Sequence, residues 1–409
     1  MGGYAVVLAI AMGVTLVTTP VVRLLAIRMG AVVAPKDARH VHTKPMPTLG
    51  GAAMLLGFLV AFAVASHIPQ FHEMFQNNSE PFGLVLAAGV MFLIGALDDI
   101  RDVSPPAKVA GQVFAASLLA MYGVTMFHVQ VPFNMFGTDV WVPGADYAPL
   151  ITVLWVVLMT NAINLIDGLD GLAAGIVAIA GTALFLFADR LFHSGFLEGS
   201  NIGPLVCVIA VGVCLGFLPY NFNPARIMMG DAGALFLGLL LAVPTITVGG
   251  RTDVSYSGNT YFFFAPLLIP IVILGVPMAD VVFSFLRRIV SRQRWNVADA
   301  GHLHHRLVRL GHGPRRAVVI LWAWTALLSG VALWPTYTHA GNALVPFAIG
   351  GLALMLYILF HPGVRSARLE RSRPRVPVES GMESGSAQSG LPGDGVVDFE
   401  AEAARRRRA

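Results

Sequence analysis

Charge is scarce in this chain. Only 12% of its 409 residues are Asp, Glu, Lys or Arg, whereas 56% are hydrophobic and the mean hydropathy is +0.71. Soluble domains carry about a quarter charged residues, so this shortage excludes a water-soluble globule able to cover itself with polar surface. Cysteine is nearly absent as well. Cys207 and Cys214 lie seven residues apart in one apolar run, on one helical face, which fits packed core thiols better than redox or metal chemistry. No thiolate or HExxH pattern accompanies the histidines, so a zinc site is disfavoured. No internal repeat is visible. The formal net charge of +4 carries no nucleic-acid reading, because where the charges fall matters more than their sum.

What the chain has instead is long apolar runs. Runs of roughly 17–25 residues are the length of a transmembrane helix. Eleven candidate spans are read at roughly 3–27, 49–67, 82–97, 107–124, 149–165, 172–188, 202–219, 232–249, 260–287, 317–334 and 343–361. The first is long enough to stay in the membrane rather than be removed as a signal peptide. The expected fold is therefore an all-α polytopic membrane protein with about eleven transmembrane helices over residues 1–361. An odd number puts the termini on opposite sides.

The basic residues choose between the two orientations. Of 27 Lys and Arg, only Arg190 and Arg251 fall in or beside one set of connections, so the other set is expected on the cytoplasmic face. The N-terminus is then outside, the C-terminus inside, and the protein sits in the cell inner (plasma) membrane. After about residue 362 the chain turns rich in Arg, Ser, Gly and Pro and ends in RRRR, the composition of a disordered cytoplasmic tail over 362–409. Residues 125–148 alternate weakly, as in a short external hairpin.

Every conspicuous polar cluster falls on the expected cytoplasmic face. Asp98, Asp99 and Asp102 lie in LDDIRD, and Asn161, Asn164, Asp167 and Asp170 in NAINLIDGLDG. Asn221 to Asp231 and His302, His304, His305 with Arg306 follow. Scattered structural polar residues would divide between the two faces, so the asymmetry points to one site built from several helix ends. Structural roles stand beside this reading at each cluster. Asp231 in MGDAG stands at a helix start, where capping is the alternative, and Asp99 is spaced to pair with Lys108 across a short turn. Asn161, Asn164 and Asp167 are spaced by threes, on one face of a helix end. Broken backbone at a membrane boundary is tolerated only where it is buried in protein or lines a wet cavity. Carboxylates and amides without thiolates suit Mg²⁺ or Mn²⁺, and Lys44, Lys108, Arg306 and the histidines are suited to phosphate. This inventory at a membrane face points to phosphoryl transfer from a soluble nucleotide-type donor to a lipid phosphate.

Five ordered motifs carry a family resemblance: HTKPMPTLGG (42–51), DDIRDVSPPAK (98–108), NAINLIDGLDGLA (161–173), NFNPARIMMGDAGA (221–234) and HLHHR (302–306). The chain resembles the polyprenyl-phosphate N-acetylhexosamine-1-phosphate transferases, the group containing MraY, WecA and TagO. That resemblance implies an Mg²⁺-dependent transferase acting on a UDP-sugar donor and a polyprenyl phosphate acceptor. It implies Asp231 and Asn164 as metal ligands, with Asp98, Asp99 and Lys108 as catalytic residues. Lys44, Asp167, Asp170 and Asn221 would hold the nucleotide and diphosphate, and His302, His304, His305 and Arg306 the sugar and its phosphate. No nucleic-acid partner is implied, and a homodimer is among the compatible assemblies.

Within the family, the HLHHR loop and the HTKPMPTLGG form resemble the branch whose donor is UDP-N-acetylglucosamine. The muramyl-pentapeptide branch has three consecutive histidines where Leu303 interrupts them here, and a Phe where this chain has Met228. The expectation is transfer of N-acetylglucosamine-1-phosphate to decaprenyl or undecaprenyl phosphate, releasing UMP, at the first step of a cell-envelope polymer or linker. The phospho-N-acetylmuramoyl-pentapeptide transferase is the alternative. Two remoter readings are a UbiA-type prenyltransferase, from the DDxxD pattern of DDIRD, and a secondary transporter with broken helices.

Overall fold

The computed structural model describes residues 2–33, 45–127, 129–130, 140–141, 144, 146–251, 275, 307–308, 312–338 and 344–360. Its helices are α1 (Gly2–Arg28), α2 (Gly51–Ala65), α3 (His72–Asn77), α4 (Glu80–Arg101), α5 (Pro105–Met121) and α6 (Ala148–Ile166). They continue with α7 (Leu172–His193), α8 (Gly203–Asn221), α9 (Gly230–Pro244), α10 (Pro314–Thr338) and α11 (Leu344–Phe360). The fold is that of an all-α polytopic membrane protein. Several helices open on a proline in the first turn, at Pro81, Pro105, Pro149 and Pro204, where no amide donor is lost.

Ten of the eleven expected spans fall on these helices; the segment 260–287, apart from residue 275, and the tail 362–409 lie outside the described residues. Among the described residues, seven helices are long and apolar enough to cross a membrane, or eight if α2 and the segment Pro69–Asn77 form one span bent by 91°. The difference lies in length. Helix α5 has 17 residues, α11 has 17 and α2 has 15, short for a bilayer core of about 30 Å at 1.5 Å per residue.

Helix α9 is the axis of the bundle. Every residue of its apolar window is buried, and it packs against α2, α4, α6 and α8. Lipid tails are as apolar as leucine, so helices in a membrane associate through close packing rather than hydrophobic expulsion. Glycines provide that closeness. A Cβ on Gly95 of α4 would lie 2.5 Å from the Ala232 Cα, and one on Gly51 would lie 2.6 Å from the Gly233 Cα. At the far end α9 runs into a π-helical turn, Thr245–Gly249.

Among the described residues there are two short antiparallel ladders. β3 (Val129–Gln130) pairs with β4 (Val140–Trp141), the hairpin expected between 125 and 148. The second, β1 (Val32–Val33) with β2 (Met46–Pro47), had no sequence signal. Arg251, one of the two basic residues outside the main set, is matched by Glu80 at 2.6 Å and by the Gly123 carbonyl.

Candidate active site

Because successive helices alternate in direction, the ends of α4, α6 and α8 meet the starts of α5, α7 and α9 at one end of the bundle. This brings together residues 98–108, 161–171 and 221–231. At the centre is the Lys108 ammonium, in the first turn of α5. It donates to Asp98 Oδ2 at 2.9 Å and to Asp231 Oδ2. With its amide oriented to satisfy both neighbours, Asn164 accepts from Lys108 Nζ at 3.3 Å and donates to Asp231 Oδ1 at 3.1 Å. Three side-chain oxygens, from Asp98, Asp231 and Asn164, thus converge on one cationic nitrogen. Asp98 is held from behind by the Val103 N–H at 2.7 Å.

Asp99 does something else. Its two oxygens accept the backbone N–H groups of Asp231 (2.8 Å) and Ala232 (3.2 Å), the first turn of α9. The expected pairing of Asp99 with Lys108 is replaced by Asp98 with Lys108. Adjacent residues on a helix point about 100° apart, and the α9 start lies on the Asp99 side. The capping that stood as the alternative role for Asp231 is performed by Asp99, which leaves the Asp231 side chain turned to Lys108 and Asn164. Gly230, at φ +70°, fits because a Cβ there would strike the Asp99 carboxylate. Asp102 is exposed at the α4 C-cap and makes none of these bonds, so DDIRD does not act as a convergent triple.

A second layer lies one turn deeper. Asn161, one turn before Asn164 on α6, donates to Gln112 Oε1 at 2.6 Å; Gln112 is one turn beyond Lys108 on α5. Gln112 is fully buried, and its Nε2 has no partner among the described residues.

The 222–229 loop that delivers Asp231 is fastened from several sides. Asn221, buried, accepts the Gly171 N–H at 3.0 Å and donates to the Ile227 carbonyl at 3.1 Å, so both ends of its amide are used internally. Asp170 Oδ2 accepts from Asn223 Nδ2 (2.9 Å) and the Ala225 N–H (3.0 Å). Arg23 of α1 donates to the Arg226 carbonyl at 2.9 Å. Met228 is locked through its backbone, N–H to the Pro47 carbonyl and carbonyl to the Gly50 N–H. Asp167 is half-buried beside the break between α6 and α7. Burial pushes its carboxyl well above the ordinary value of 3.8, and the nearby Asp99 and Asp170 charges add to the rise.

Lys44, His302, His304, His305 and Arg306 lie outside the described residues. Sequence reasoning passed over Gln112, Asn223 and Arg315. For Gln112 the available signal was its i+4 spacing from Lys108 in an otherwise apolar helix; Asn223 stood within a quoted motif.

The chain is 35% identical over 319 residues to a decaprenyl-phosphate N-acetylglucosaminephosphotransferase of Mycobacterium tuberculosis, covering 77% of this chain and 78% of that one. A family model described as glycosyl transferase family 4 matches residues 81–249. The chain belongs to glycosyl transferase family 4. The part matched by the family model contains Asp98, Asp99, Lys108, Asn164, Asp167, Asp170, Asn221 and Asp231. A further relative, a probable undecaprenyl-phosphate N-acetylglucosaminyl 1-phosphate transferase of Bacillus subtilis, is 37% identical over 308 residues, 75% of this chain and 78% of its own. A phospho-N-acetylmuramoyl-pentapeptide-transferase of Staphylococcus haemolyticus is 30% identical over 308 residues, 72% of this chain and 86% of its own.

Proposed function

We propose that this chain transfers N-acetylglucosamine-1-phosphate from UDP-N-acetylglucosamine to a polyprenyl phosphate, decaprenyl or undecaprenyl, and releases UMP. The observation that carries the reading is the convergence of Asp98, Asp231 and Asn164 on Lys108 at one end of a membrane bundle. The relatives named for N-acetylglucosamine phosphate transfer, at 35–37% identity, favour this donor over the muramyl-pentapeptide one, whose named relative stands at 30%. We place the site end at the cytoplasmic face of the inner membrane, on the distribution of Lys and Arg. The product would open the synthesis of a cell-envelope polymer or linker.

In the proposed reaction an oxygen of the lipid phosphate attacks the sugar-side phosphorus of the donor. A new P–O bond forms, the bond to the UMP oxygen breaks, and UMP leaves with the electron pair. Reactions of this type are governed by alignment and charge neutralisation. Asp98 and Asp231 share one ammonium, so the cluster is formally negative before any phosphate arrives. Two phosphate-bearing substrates need further positive charge. Two carboxylates and an amide carbonyl form a hard-oxygen donor set, and Mg²⁺ commonly takes one or two such groups plus substrate phosphates. Among the described residues there is no group of three or more His, Cys, Asp or Glu able to hold a metal, which is the pattern of an all-protein cage. Asp231 and Asn164 would hold Mg²⁺, which when bound neutralises diphosphate charge and polarises the reacting phosphorus. Lys108 holds Asp98 and Asp231 together and is placed to hand its positive charge to a phosphate. Asp99 fixes the start of α9, and with it the Asp231 carboxylate.

The test is turnover by purified protein with a polyprenyl phosphate and UDP-N-acetylglucosamine, with and without Mg²⁺. The muramyl-pentapeptide donor is run in parallel. Lipid-linked N-acetylglucosamine with stoichiometric UMP, abolished by chelation, is the expected result. Product from the muramyl donor alone would move the chain to the other branch. No product from either, in folded protein, would refute the assignment.

A further inference from the structure

Helix α10 reaches the site end through Arg315. The Arg315 Nε–H donates to the Asn223 carbonyl at 2.8 Å and to Asn223 Oδ1 at 3.2 Å. The Nδ2 of the same amide donates to Asp170 Oδ2 at 2.9 Å, an oxygen that also accepts the Ala225 N–H at 3.0 Å. One side-chain amide therefore joins a guanidinium on α10 to a buried carboxylate at the start of α7. The chemistry is directional. An Asn side chain has one accepting and one donating end, so a cation on the oxygen leaves the NH₂ for the carboxylate.

A second contact ties the same face of α10 to the same loop. Trp322, two helical turns after Arg315, has its ring 5.6 Å from that of Phe222, and its Nε1–H donates to the Leu172 carbonyl at 3.3 Å. Gly175 leaves the room for it, since a Cβ there would strike the Trp322 indole. Arg315 lies outside the matched family segment, 81–249, and outside all five motifs. In the sequence it follows HLHHR by nine residues.

We infer that Arg315 is a positioning residue for the donor half of the site: acting through Asn223 on Asp170, it sets affinity for the uridine nucleotide and not for the lipid phosphate. The inference rests on the reading of Asp170 as a donor-binding residue. Two donors on one oxygen fix the plane of the Asp170 carboxylate. Without Arg315 the Asn223 amide is free to rotate, and Asp170 loses one of those donors part of the time. The central cluster depends on other bonds, namely Lys108 with Asp98 and Asp231, and Asp99 with the α9 start, so it stays assembled.

The experiment compares wild type with Arg315→Gln, Arg315→Lys and Asn223→Ala in the full-length protein. UMP binding is measured by calorimetry, and KM is measured separately for each substrate. For Arg315→Gln we expect the UMP dissociation constant and the KM for UDP-N-acetylglucosamine to rise about tenfold, the scale of one hydrogen bond to a charged group. The KM for polyprenyl phosphate, and kcat at saturating donor, should stay within about twofold. Arg315→Lys, which restores a donor, should lie between. Adding Asn223→Ala to Arg315→Gln should cost little more than either alone, because both act on one chain of bonds. Unchanged UMP affinity in Arg315→Gln would overturn the inference, as would equal losses toward both substrates accompanied by a lower melting temperature. Wild-type protein that binds UMP in an Arg315-dependent way, yet transfers nothing, would support the inference while refuting the proposed reaction.

Discussion

The Asp99 carboxylate accepts the backbone N–H of Asp231 at 2.8 Å, across 132 residues of sequence. A side chain at the end of one membrane helix thereby caps the start of the helix at the centre of the bundle. An acid beside an N-terminus is also favoured by the helix dipole. The backbone that carries the Asp231 carboxylate is thus fixed in space before any substrate binds.

Removing that cap should therefore cost both stability and rate. Asp99→Ala should lose about 1–2 kcal/mol, as for other lost caps, and turnover should fall about a hundredfold as Asp231 shifts. Asp99→Asn keeps one acceptor and should melt between wild type and Asp99→Ala. Thermal unfolding in detergent, paired with initial rates, measures both. Equal melting of all three would mean that the cap is dispensable.

Lys108 and a divalent cation compete for the oxygens of Asp231 in the proposed mechanism. Lys108→Gln removes the ammonium, so apparent Mg²⁺ affinity should tighten while kcat falls about 10²-fold or more, the scale of a lost electrostatic stabiliser. Asp231→Asn should do the opposite to the metal and abolish Mg²⁺-dependent turnover while the protein still inserts. Titrating Mg²⁺ against rate separates the two. An Asp231→Asn variant with normal activity would remove the proposed ligand.

The spans were legible in the sequence because hydropathy reports a one-dimensional property, and ten of the eleven runs became helices. The convergence of polar residues on one end was legible for the same reason: alternating helices place every second connection together. Pairings were not. DDIRD offers two adjacent acids to one lysine, and only the arrival of α9, some 130 residues later, decides that Asp98 takes Lys108 and Asp99 takes the backbone. Asn221 read as a substrate contact, yet its amide is used within the fold, between Gly171 and Ile227. Gln112 offered only its spacing from Lys108; its role comes from Asn161 opposite it, 49 residues away in sequence.

Asp167 carries a pH signature. Its carboxyl is raised by burial, so the folded state binds a proton more tightly than the unfolded chain. Its stabilising contribution is then complete below the ordinary carboxylate range and is lost as pH rises through the raised value. In Mg²⁺-free, substrate-free protein, Asp167→Asn should match wild type at acidic pH and melt higher above neutrality, by roughly 2 °C or more. Melting curves taken across pH give the comparison. A variant that melts lower at every pH would contradict the burial argument.

The proposed orientation can be read with a membrane-impermeant thiol reagent. Both native cysteines, Cys207 and Cys214, are buried, so background labelling should be low. Ser104, exposed between α4 and α5, is at the site end; Ser194, exposed after α7, is at the other. Ser194→Cys should label in intact cells, and Ser104→Cys only after permeabilisation. The reverse pattern would invert the topology.

The central claim is that a phosphorus atom moves with the sugar. It is tested most directly with UDP-N-acetylglucosamine carrying ³²P at the sugar-side phosphorus, incubated with the purified protein, Mg²⁺ and a polyprenyl phosphate. The account predicts the label in the lipid phase as a diphosphate-linked sugar, with unlabelled UMP in the aqueous phase. Labelled UDP in the aqueous phase, with the sugar on the lipid through its original single phosphate, would contradict it.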